Sequence, residues 1–383
     1  MKSKQKILVF IDWYLPGYRG GGPIQSCANL IAHLNDNYDF YVVTRDTDYC
    51  ETQPYQGIKS NEWNTLSNGT KVFYISSDNV KASTINKIIK EAEFDIGYVN
   101  GVYSLYFSFL PLYYLKKNKV QKVVLCTRGM LAKSAINVKK VKKKIYLALI
   151  KILGLFSNIT FHATTDAEIL DIKNVVGAAS KILLAPNLPR RENQKEWFQK
   201  QKNVGSLRLI NIARIAPEKN LKYALEILQQ VKTEIEFDFY GPVYDQDYYQ
   251  ECAALIKELP NNIHANYKNS IPSELVNTTF QNYHAMFMPT RGENFGHIIL
   301  ESLTVGCPVI ISNQTPWKNL QEKKVGYDLS LAQPENFVKA MEKFAAMNQS
   351  EFDVWSKAAM NFGSDFINNP EILKQNLLLF SNN

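Results

Sequence analysis

Two periodicities alternate along this chain. Short runs of β-branched and aromatic residues fall at 6–13, 40–44, 71–76, 96–100, 122–127, 159–164 and 181–185, then again at 207–213, 236–240, 262–266, 285–289 and 308–312. Between most of them apolar residues recur at helical spacing, over 24–35, 83–93, 104–118 and 166–176 in the first half and over 220–232, 246–258, 295–305, 334–347 and 351–363 in the second. Strands alternating with helices predict βαβ units and a parallel sheet, here occurring twice. After Pro186-Asn187 a polar, charged segment (190–203) separates the two sets, and a strand restarts at Leu207. The expected α/β architecture is therefore two Rossmann-like, doubly wound domains, 1–186 and 187–383, facing each other across a cleft, with the last helix free to pack back on the first domain. Ligands of open α/β sheets bind beyond the carboxyl ends of the strands, so the residues that follow strands carry the chemistry.

Composition narrows the class. A length of 383 residues, at roughly 100–200 per domain, fits two domains, and 45% hydrophobic with 21% charged residues excludes a disordered or collagen-like chain. Five scattered cysteines without C-x-x-C spacing support neither a disulfide framework nor a structural zinc site, and a reducing cytoplasm is expected. The apolar run 7–11 is cut by Asp12, too short for a secretory leader, and no stretch approaches the ~18 apolar residues of a membrane span. The net charge of +8 is unevenly spread: residues 1–186 hold 24 Lys+Arg against 14 Asp+Glu, and the remainder hold 20 against 22. Within 116–151 stand 12 basic residues and no acidic one. Something anionic is expected to meet the first half.

Several segments after strands have the residue types that ligands need. Arg19-Gly20-Gly21-Gly22-Pro23 follows the first strand; glycines let backbone approach a ligand, and Pro23 suits a helix start whose N–H groups face an anion. A plain mobile loop is the alternative, and the spaced G-x-G-x-x-G fingerprint is absent. Asp46-Thr47-Asp48 and Asp245-Gln246-Asp247 each spell D-x-D, a pattern that chelates metal in some sugar transferases but arises readily by chance in polar loops. Arg214 ends a strand and Lys219 opens a helix, a cation pair suited to a diphosphate, unless both are surface charge with Asn220 as a cap. In the stretch 288–301, a strand enters Arg291-Gly292-Glu293-Asn294-Phe295-Gly296, a helix begins, and Gly306 and Pro308 close it. Glu301 is expected on an otherwise apolar helix face, where a carboxylate needs donors such as a ribose diol. Glu293 lies about 12 Å of helical rise away, a span suited to a ligand the length of a nucleotide sugar.

Glu293 and Glu301, with the helix, Gly-x-Pro-Val-Ile and strand that follow, resemble the E-x7-E motif of the family-4 retaining glycosyltransferases of GT-B fold. The resemblance extends over most of the chain: Gly20-Gly21-Gly22-Pro23 is similar to that family's glycine loop, Arg214 and Lys219 to its diphosphate-binding pair, Tyr240-Gly241-Pro242 to its I-Y-G-P, and Pro186-Asn187 to its P-N-G hinge, with Leu188 in place of the glycine. The resemblance implies a transferase that keeps the anomeric configuration and needs neither a metal nor another cofactor. It implies catalytic roles for Glu293, Arg214 and Lys219. Gly21, Gly22, Arg214, Lys219, Tyr267, Asn294, Phe295, Gly296 and Glu301 would bind the donor, a UDP-sugar. Where many relatives carry His-Gly, this chain has Arg128-Gly129, so Arg128 is expected as an acceptor or phosphate ligand, and His162 either faces the acceptor or is structural. Trp317 suits a pocket border or the core equally.

The resemblance also gives the basic segment a partner. Lys139, Lys140, Lys142, Lys143 and Lys144 adjoin Ile145, Leu147, Leu149, Ile152 and Leu153, which suits a helix on an anionic membrane surface or the buried face of an ordinary helix with solvated lysines. The expected protein is cytoplasmic and peripheral on the inner face of the plasma membrane, building cell-surface polysaccharide on a lipid-linked glycan. A GT-B protein that binds glycan or nucleotide without transferring sugar is one alternative. A basic nucleic-acid-binding protein is another, although the basic segment lacks interleaved aromatics. A nicotinamide-dependent oxidoreductase would need the missing glycine fingerprint.

Overall fold

The computed structural model describes residues 4–137, 139–191 and 196–381. It divides into two compact units, Met1–Arg191 with Asn369–Asn383, and Glu192–Asn368. Of the expected linker 190–203, residues 192–195 lie outside the described ones.

The first unit carries strands β1 (Gln5–Phe10), β2 (Tyr38–Arg45), β3 (Trp63–Thr65), β4 (Lys71–Ile75), β5 (Ile96–Asn100), β6 (Lys122–Cys126), β7 (Thr160–Ala163) and β8 (Lys181–Leu184). They form one sheet in the order β3-β4-β2-β1-β5-β6-β7-β8. All neighbours pair in parallel except β3, which runs antiparallel to β4. Ile7, Leu8, Val9 and Phe10 of β1 are all buried, because a central parallel strand is covered on both faces by helices. The short edge strand β3 escapes the sequence pattern: it is polar but for Trp63, whose ring packs against Tyr41 and Phe73 (5.5 and 5.3 Å). Helices α1 (Gly22–Leu34), α2 (Ala82–Glu91), α3 (Leu110–Lys117), α4 (Lys133–Asn137), α5 (Lys140–Ile152) and α6 (Asp166–Val176) link the strands. The helix expected over 104–118 is two pieces, a π-helical turn Leu105–Phe109 and then α3. Pro111, which has no N–H to give a preceding carbonyl, falls in the first turn of α3, where no such bond is needed.

The second unit holds β9 (Ser206–Ile212), β10 (Glu234–Tyr240), β11 (Ile263–Tyr267), β12 (Ala285–Met288), β13 (Val309–Ser312) and β14 (Gly326–Leu329). Their order is β11-β10-β9-β12-β13-β14, parallel throughout. Counted from β9 this is the Rossmann order 3-2-1-4-5-6, with its topological switch between β9 and β12. β14 is not predicted from the pattern because its four residues begin with Gly326 and turn polar at Asp328. A Cβ on Gly326 would lie 2.0 Å from the Val309 carbonyl oxygen, so the strand depends on glycine there. Helices α7 (Leu221–Leu228), α8 (Gln246–Lys257), α9 (Val276–Phe280), α10 (His297–Thr304), α11 (Pro334–Ala346) and α12 (Gln349–Ile367) cover the sheet. Asn348 and Glu351 form a reciprocal capping box that fixes the start of α12.

The chain then returns to the first unit. Helix α13 (Pro370–Leu378) sends the Asn376 amide to the Pro186 carbonyl (2.9 Å). Just beyond it, Phe380 is buried among the rings of Tyr38, Phe40 and Tyr98.

Candidate active site

In the second unit the loops after β9 and β12 meet above the switch point and are stitched together by polar contacts. Asn220 adopts the left-handed conformation (φ 63°) and is buried; its side-chain amide donates to the Pro289 carbonyl (2.9 Å) and its side-chain oxygen accepts from Arg291 Nε (3.2 Å). The Arg291 amide donates to the Glu218 carbonyl (3.0 Å). Thr290, fully buried, donates its hydroxyl to that same carbonyl (3.1 Å) and accepts from the Gly292 amide (3.3 Å). From β13, Ser312 donates to the Thr290 carbonyl (2.5 Å). Buried polar groups satisfied in this way hold a loop in one conformation.

On that frame Lys219 and Glu293 form a direct ion pair, with side chains only 18% and 12% exposed. Arg214, more open, pairs with Glu218 at 3.1 Å and lies 6.0 Å from the Tyr244 ring. Gly292 adjoins open space, since a Cβ there would meet nothing within 4 Å. Gly296 starts α10 at φ 77°, and a Cβ on it would come within 2.7 Å of Ile299. Helix α10 has neither a capping side chain nor an acidic residue in its first turn. The Phe295 carbonyl is held by the Trp317 indole N–H (2.6 Å), and both rings pack with Phe366. Trp317 is therefore core, and it fixes the loop from beneath. A buried ammonium secures the other end of α10: Lys200 donates to the carbonyls of Val305 and Gly306, both at 2.8 Å, where the helix dipole favours a cation.

One expectation is corrected. Glu301 does not lie on the apolar face of its helix. The buried residues of α10 are Ile299, Leu300, Ser302 and Leu303, and Glu301 stands half-buried on the opposite side with His297, Ile298 and Thr304. Tyr267 ends β11, donates its hydroxyl to the Gly241 carbonyl (2.9 Å) and packs on Phe239 and Tyr249. It positions the turn after β10, where a Cβ on Gly241 would strike the Ala213 carbonyl at 1.9 Å.

In the first unit, Gly21 precedes α1 at φ 71°, and a Cβ on either Gly21 or Gly22 would meet nothing within 4 Å. The nearby D-x-D is occupied by structure: Asp48 accepts from the amides of Tyr18 (2.9 Å), Arg19 (3.2 Å) and Tyr49 (2.7 Å), and Asp46 from Ser60 (2.7 Å). Asp48 thus ties down the backbone entering the glycine loop. Asp245 caps α8 by accepting from the Tyr248 amide (3.0 Å). Among the described residues no group of three or more His, Cys, Asp or Glu could hold a metal ion.

The two acceptor-side candidates are enclosed. Arg128, in the left-handed region (φ 51°), is buried, and its guanidinium donates to Asn100 Oδ1 (2.7 Å), Asn187 Oδ1 (2.5 Å) and the Tyr98 hydroxyl (3.3 Å). Glu168 holds the same turn by accepting from Thr127 (2.5 Å), the Gly129 amide (2.6 Å) and Thr164 (2.7 and 2.8 Å). His162 is 1% exposed, with Nε2 on the Ala185 carbonyl (2.7 Å) and Nδ1 on the Tyr98 hydroxyl (3.1 Å). A carbonyl can only accept, so Nε2 carries a proton. Burial, reinforced by Arg128, pushes its pKa down to about 4. Neither side chain is placed to meet an acceptor; together they tie β5, β6 and β7 to the exit of β8.

A group that the sequence reading passed over stands at this unit's own switch point, between β1 and β5. Asp12 accepts from Ser104 Oγ (2.8 Å) and faces Arg45 (3.5 Å), whose guanidinium lies 5.0 Å from the Phe107 ring and 5.8 Å from Trp13. Burial raises the Asp12 pKa against the lowering influence of Ser104 and Arg45. The available signal was a carboxylate directly after the first strand.

Residues 192–361 match the family model described as glycosyl transferases group 1. The alpha-1,3/1,6-mannosyltransferase ALG2 of Mus musculus is 27% identical over 149 residues, 35% of this chain and 36% of that protein, so the match spans about a third of the relative's length. Among solved structures, a sucrose-phosphate synthase from Thermosynechococcus elongatus aligns with a TM-score of 0.71 at 14% identity, covering 98% of both chains. Anabaena HepE in complex with UDP and glucose aligns at 0.71 and 13% identity, over 97% of this chain and 98% of that one. A point mutant of TarM from S. aureus, in complex with Fondaparinux, alpha-GlcNAc-glycerol and UDP, aligns at 0.70 and 13%, over 98% and 100%. At such identities the likeness shows the fold, which is GT-B.

Proposed function

We propose that this GT-B chain, whose second unit carries the group 1 glycosyl transferase domain, is a retaining glycosyltransferase that moves a sugar from a nucleotide-diphosphate donor, a UDP-sugar, to a growing glycan. The observation that carries the proposal is the Lys219–Glu293 ion pair beside Arg214 and the start of α10, at the Rossmann switch point of the second unit. An arriving diphosphate competes for both cations: Lys219 turns from Glu293 to phosphate, Arg214 from Glu218, and the first turn of α10 adds N–H donors. Glu293, released, accepts from hydroxyls of the sugar, and Glu301 on the open face of α10 accepts from the ribose.

In the transfer step the bond from the anomeric carbon to the departing phosphate oxygen breaks. The acceptor oxygen bonds to that carbon from the same side, and its proton passes to the departing phosphate oxygen. Charge grows on the diphosphate as the bond breaks, and Arg214 and Lys219 stabilise it most at that point. With two side-chain cations and helix amides supplying the counter-charge, we expect activity without a divalent metal. On the acceptor side we assign Asp12 rather than His162, since its carboxylate stands partly exposed at the first unit's switch point whereas His162 is enclosed. Because the positive surplus lies in the acceptor-side unit, we place the acceptor on a lipid carrier at the cytoplasmic face of the plasma membrane, in cell-surface polysaccharide synthesis.

Calorimetry against UDP, GDP and ADP, followed by release of UDP from a panel of UDP-sugars with and without EDTA, tests the proposal. Preferential UDP binding and EDTA-resistant turnover are expected. Failure of every nucleoside diphosphate to bind would overturn the donor site, and loss with EDTA restored by manganese would overturn the metal-independent mechanism.

A further inference from the structure

Helix α5 has two apolar faces, and the fold uses one of them. Leu147 and Ile150 are buried against the first unit; on the same side Tyr146 donates to the Val102 carbonyl (2.6 Å) and Lys143 to the Ala135 carbonyl (2.7 Å). Away from that contact, Val141 is 70% exposed, Ile145 65%, Leu149 45% and Ile152 81%, followed by Leu153 at 43%. At 3.6 residues per turn Val141, Ile145, Leu149 and Ile152 fall within an arc of about 80° and form a stripe roughly 16 Å long. Single exposed apolar residues are ordinary, but a continuous row marks a contact surface. By helical position, Lys140, Lys144 and Lys151 border the row on one side and Lys142 on the other.

The charge around the stripe selects its occupant. No Asp or Glu occurs from 96 to 165. A second copy docking through the same face would set lysine against lysine, since an isologous contact repeats one patch on both sides. An anionic bilayer satisfies both parts at once, acyl chains for the stripe and lipid phosphates for the lysines, whose stems run along the apolar surface to the headgroups. Thirteen residues make a helix of about 20 Å, short of the ~30 Å hydrocarbon core, so α5 can lie in the surface but cannot cross it.

We infer that α5 is an interfacial helix: it lies flat in the headgroup layer of an anionic membrane with Val141, Ile145, Leu149 and Ile152 immersed at the acyl boundary. This rests on the proposed membrane attachment and deepens it from electrostatic adsorption to insertion.

The test uses the full chain and vesicles of phosphatidylcholine with and without phosphatidylglycerol. In a Cys50→Ser background, which leaves only buried cysteines, Ile145→Cys carries an environment-sensitive fluorophore. Insertion predicts a severalfold rise and blue shift in emission on adding anionic vesicles, quenched by lipids spin-labelled near the headgroup. Binding should weaken with salt yet persist in part at 0.5 M, about where charge interactions are screened beyond 4–5 Å. The triple variant Val141→Gln/Ile145→Gln/Ile152→Gln should lose at least tenfold in partitioning with UDP affinity unchanged. A fluorophore that stays in water while vesicles still capture the protein overturns insertion and leaves attachment standing. No capture by anionic vesicles overturns both. Lipid-free dimerisation abolished by the triple variant would make the stripe an interface between copies and overturn the inference.

Discussion

Arg128 and Arg214 each stand just after a strand of a parallel sheet, β6 in the first unit and β9 in the second, yet their surroundings differ completely. Arg128 is enclosed, and its donors meet neutral acceptors supplied by β5, by the exit of β8 and by Tyr98. Arg214 is about a third exposed and meets a carboxylate, Glu218, on its own loop. Enclosure by permanent partners makes an arginine part of the architecture. An exposed pairing with a neighbouring carboxylate leaves it exchangeable, because a surface ion pair is worth about 0–1 kcal/mol and a diphosphate can displace it. Two parallel sheets thus present one closed and one open strand end.

The sharpest way to break this comparison is to remove each cation and ask what is lost. Arg128→Ala would leave three buried acceptors without their donor, and each costs about 1–3 kcal/mol. We expect destabilisation of about 3–5 kcal/mol in denaturant titration, with no rescue by Arg128→Lys, whose compact ammonium cannot span the three positions. Arg214→Ala with Lys219→Ala should act on binding first: UDP affinity reduced at least 100-fold, about 3 kcal/mol, in calorimetry, with a loss of stability that comes from the Glu293 carboxylate left without its partner and is absent in Arg214→Ala alone. If Arg128→Ala left stability intact, or the double variant kept its UDP affinity, the division between the two sites would fail.

Titration sharpens the same contrast. The folded-state pKa of His162 is about 4, against 6.5 for an unperturbed histidine, because burial and then Arg128 oppose its charge. The unfolded chain therefore binds the extra proton first. The stability contributed by the neutral ring is complete above 6.5 and is lost as pH falls from 6.5 towards 4. At pH 5 the loss is about 2 kcal/mol. His284 in the second unit, also lowered to about 4 by burial, adds a parallel loss. His162→Gln can keep a donor to Ala185 and should flatten, without abolishing, the decline in melting temperature between about pH 6.5 and 4.5. An unchanged slope would mean that His162 is not the buried neutral group described.

How far the sequence reveals this molecule follows from what is local. Among the described residues twelve of the fourteen strands are legible because parallel strands are short apolar runs; β3 and β14 are not, being short and polar or led by a glycine. The cation pair and Glu293 stand out as candidates because strand end, glycine loop and helix start are consecutive in the chain. Arg128 falls just after β6 and His162 near the end of β7, as the pattern predicts, but the covering groups come from far away, Asn187 being 59 residues from Arg128. Periodicity cannot register that enclosure. The exposed stripe of α5 presents the same difficulty reversed: Leu147 and Leu149 look alike in sequence, and only the packed unit shows which is buried.

The smallest effect expected is at Glu301, and it depends on the corrected face of α10. Had Glu301 pointed into the apolar layer beside Leu300 and Leu303, replacing it with Gln would relieve a buried charge and stabilise the unit. Placed with His297 and Ile298 on the partly open side, it has no such penalty to relieve. Glu301→Gln should leave the melting temperature within about 2 °C, in line with the roughly ±0.5 kcal/mol typical of surface changes. It should weaken UDP binding by about tenfold, roughly 1.4 kcal/mol, as a charged acceptor of ribose hydroxyls becomes a neutral one. The 2′,3′-dideoxy analogue of UDP lacks those hydroxyls and should bind wild type and variant alike. A variant that lost affinity for both nucleotides equally would place Glu301 away from the ribose.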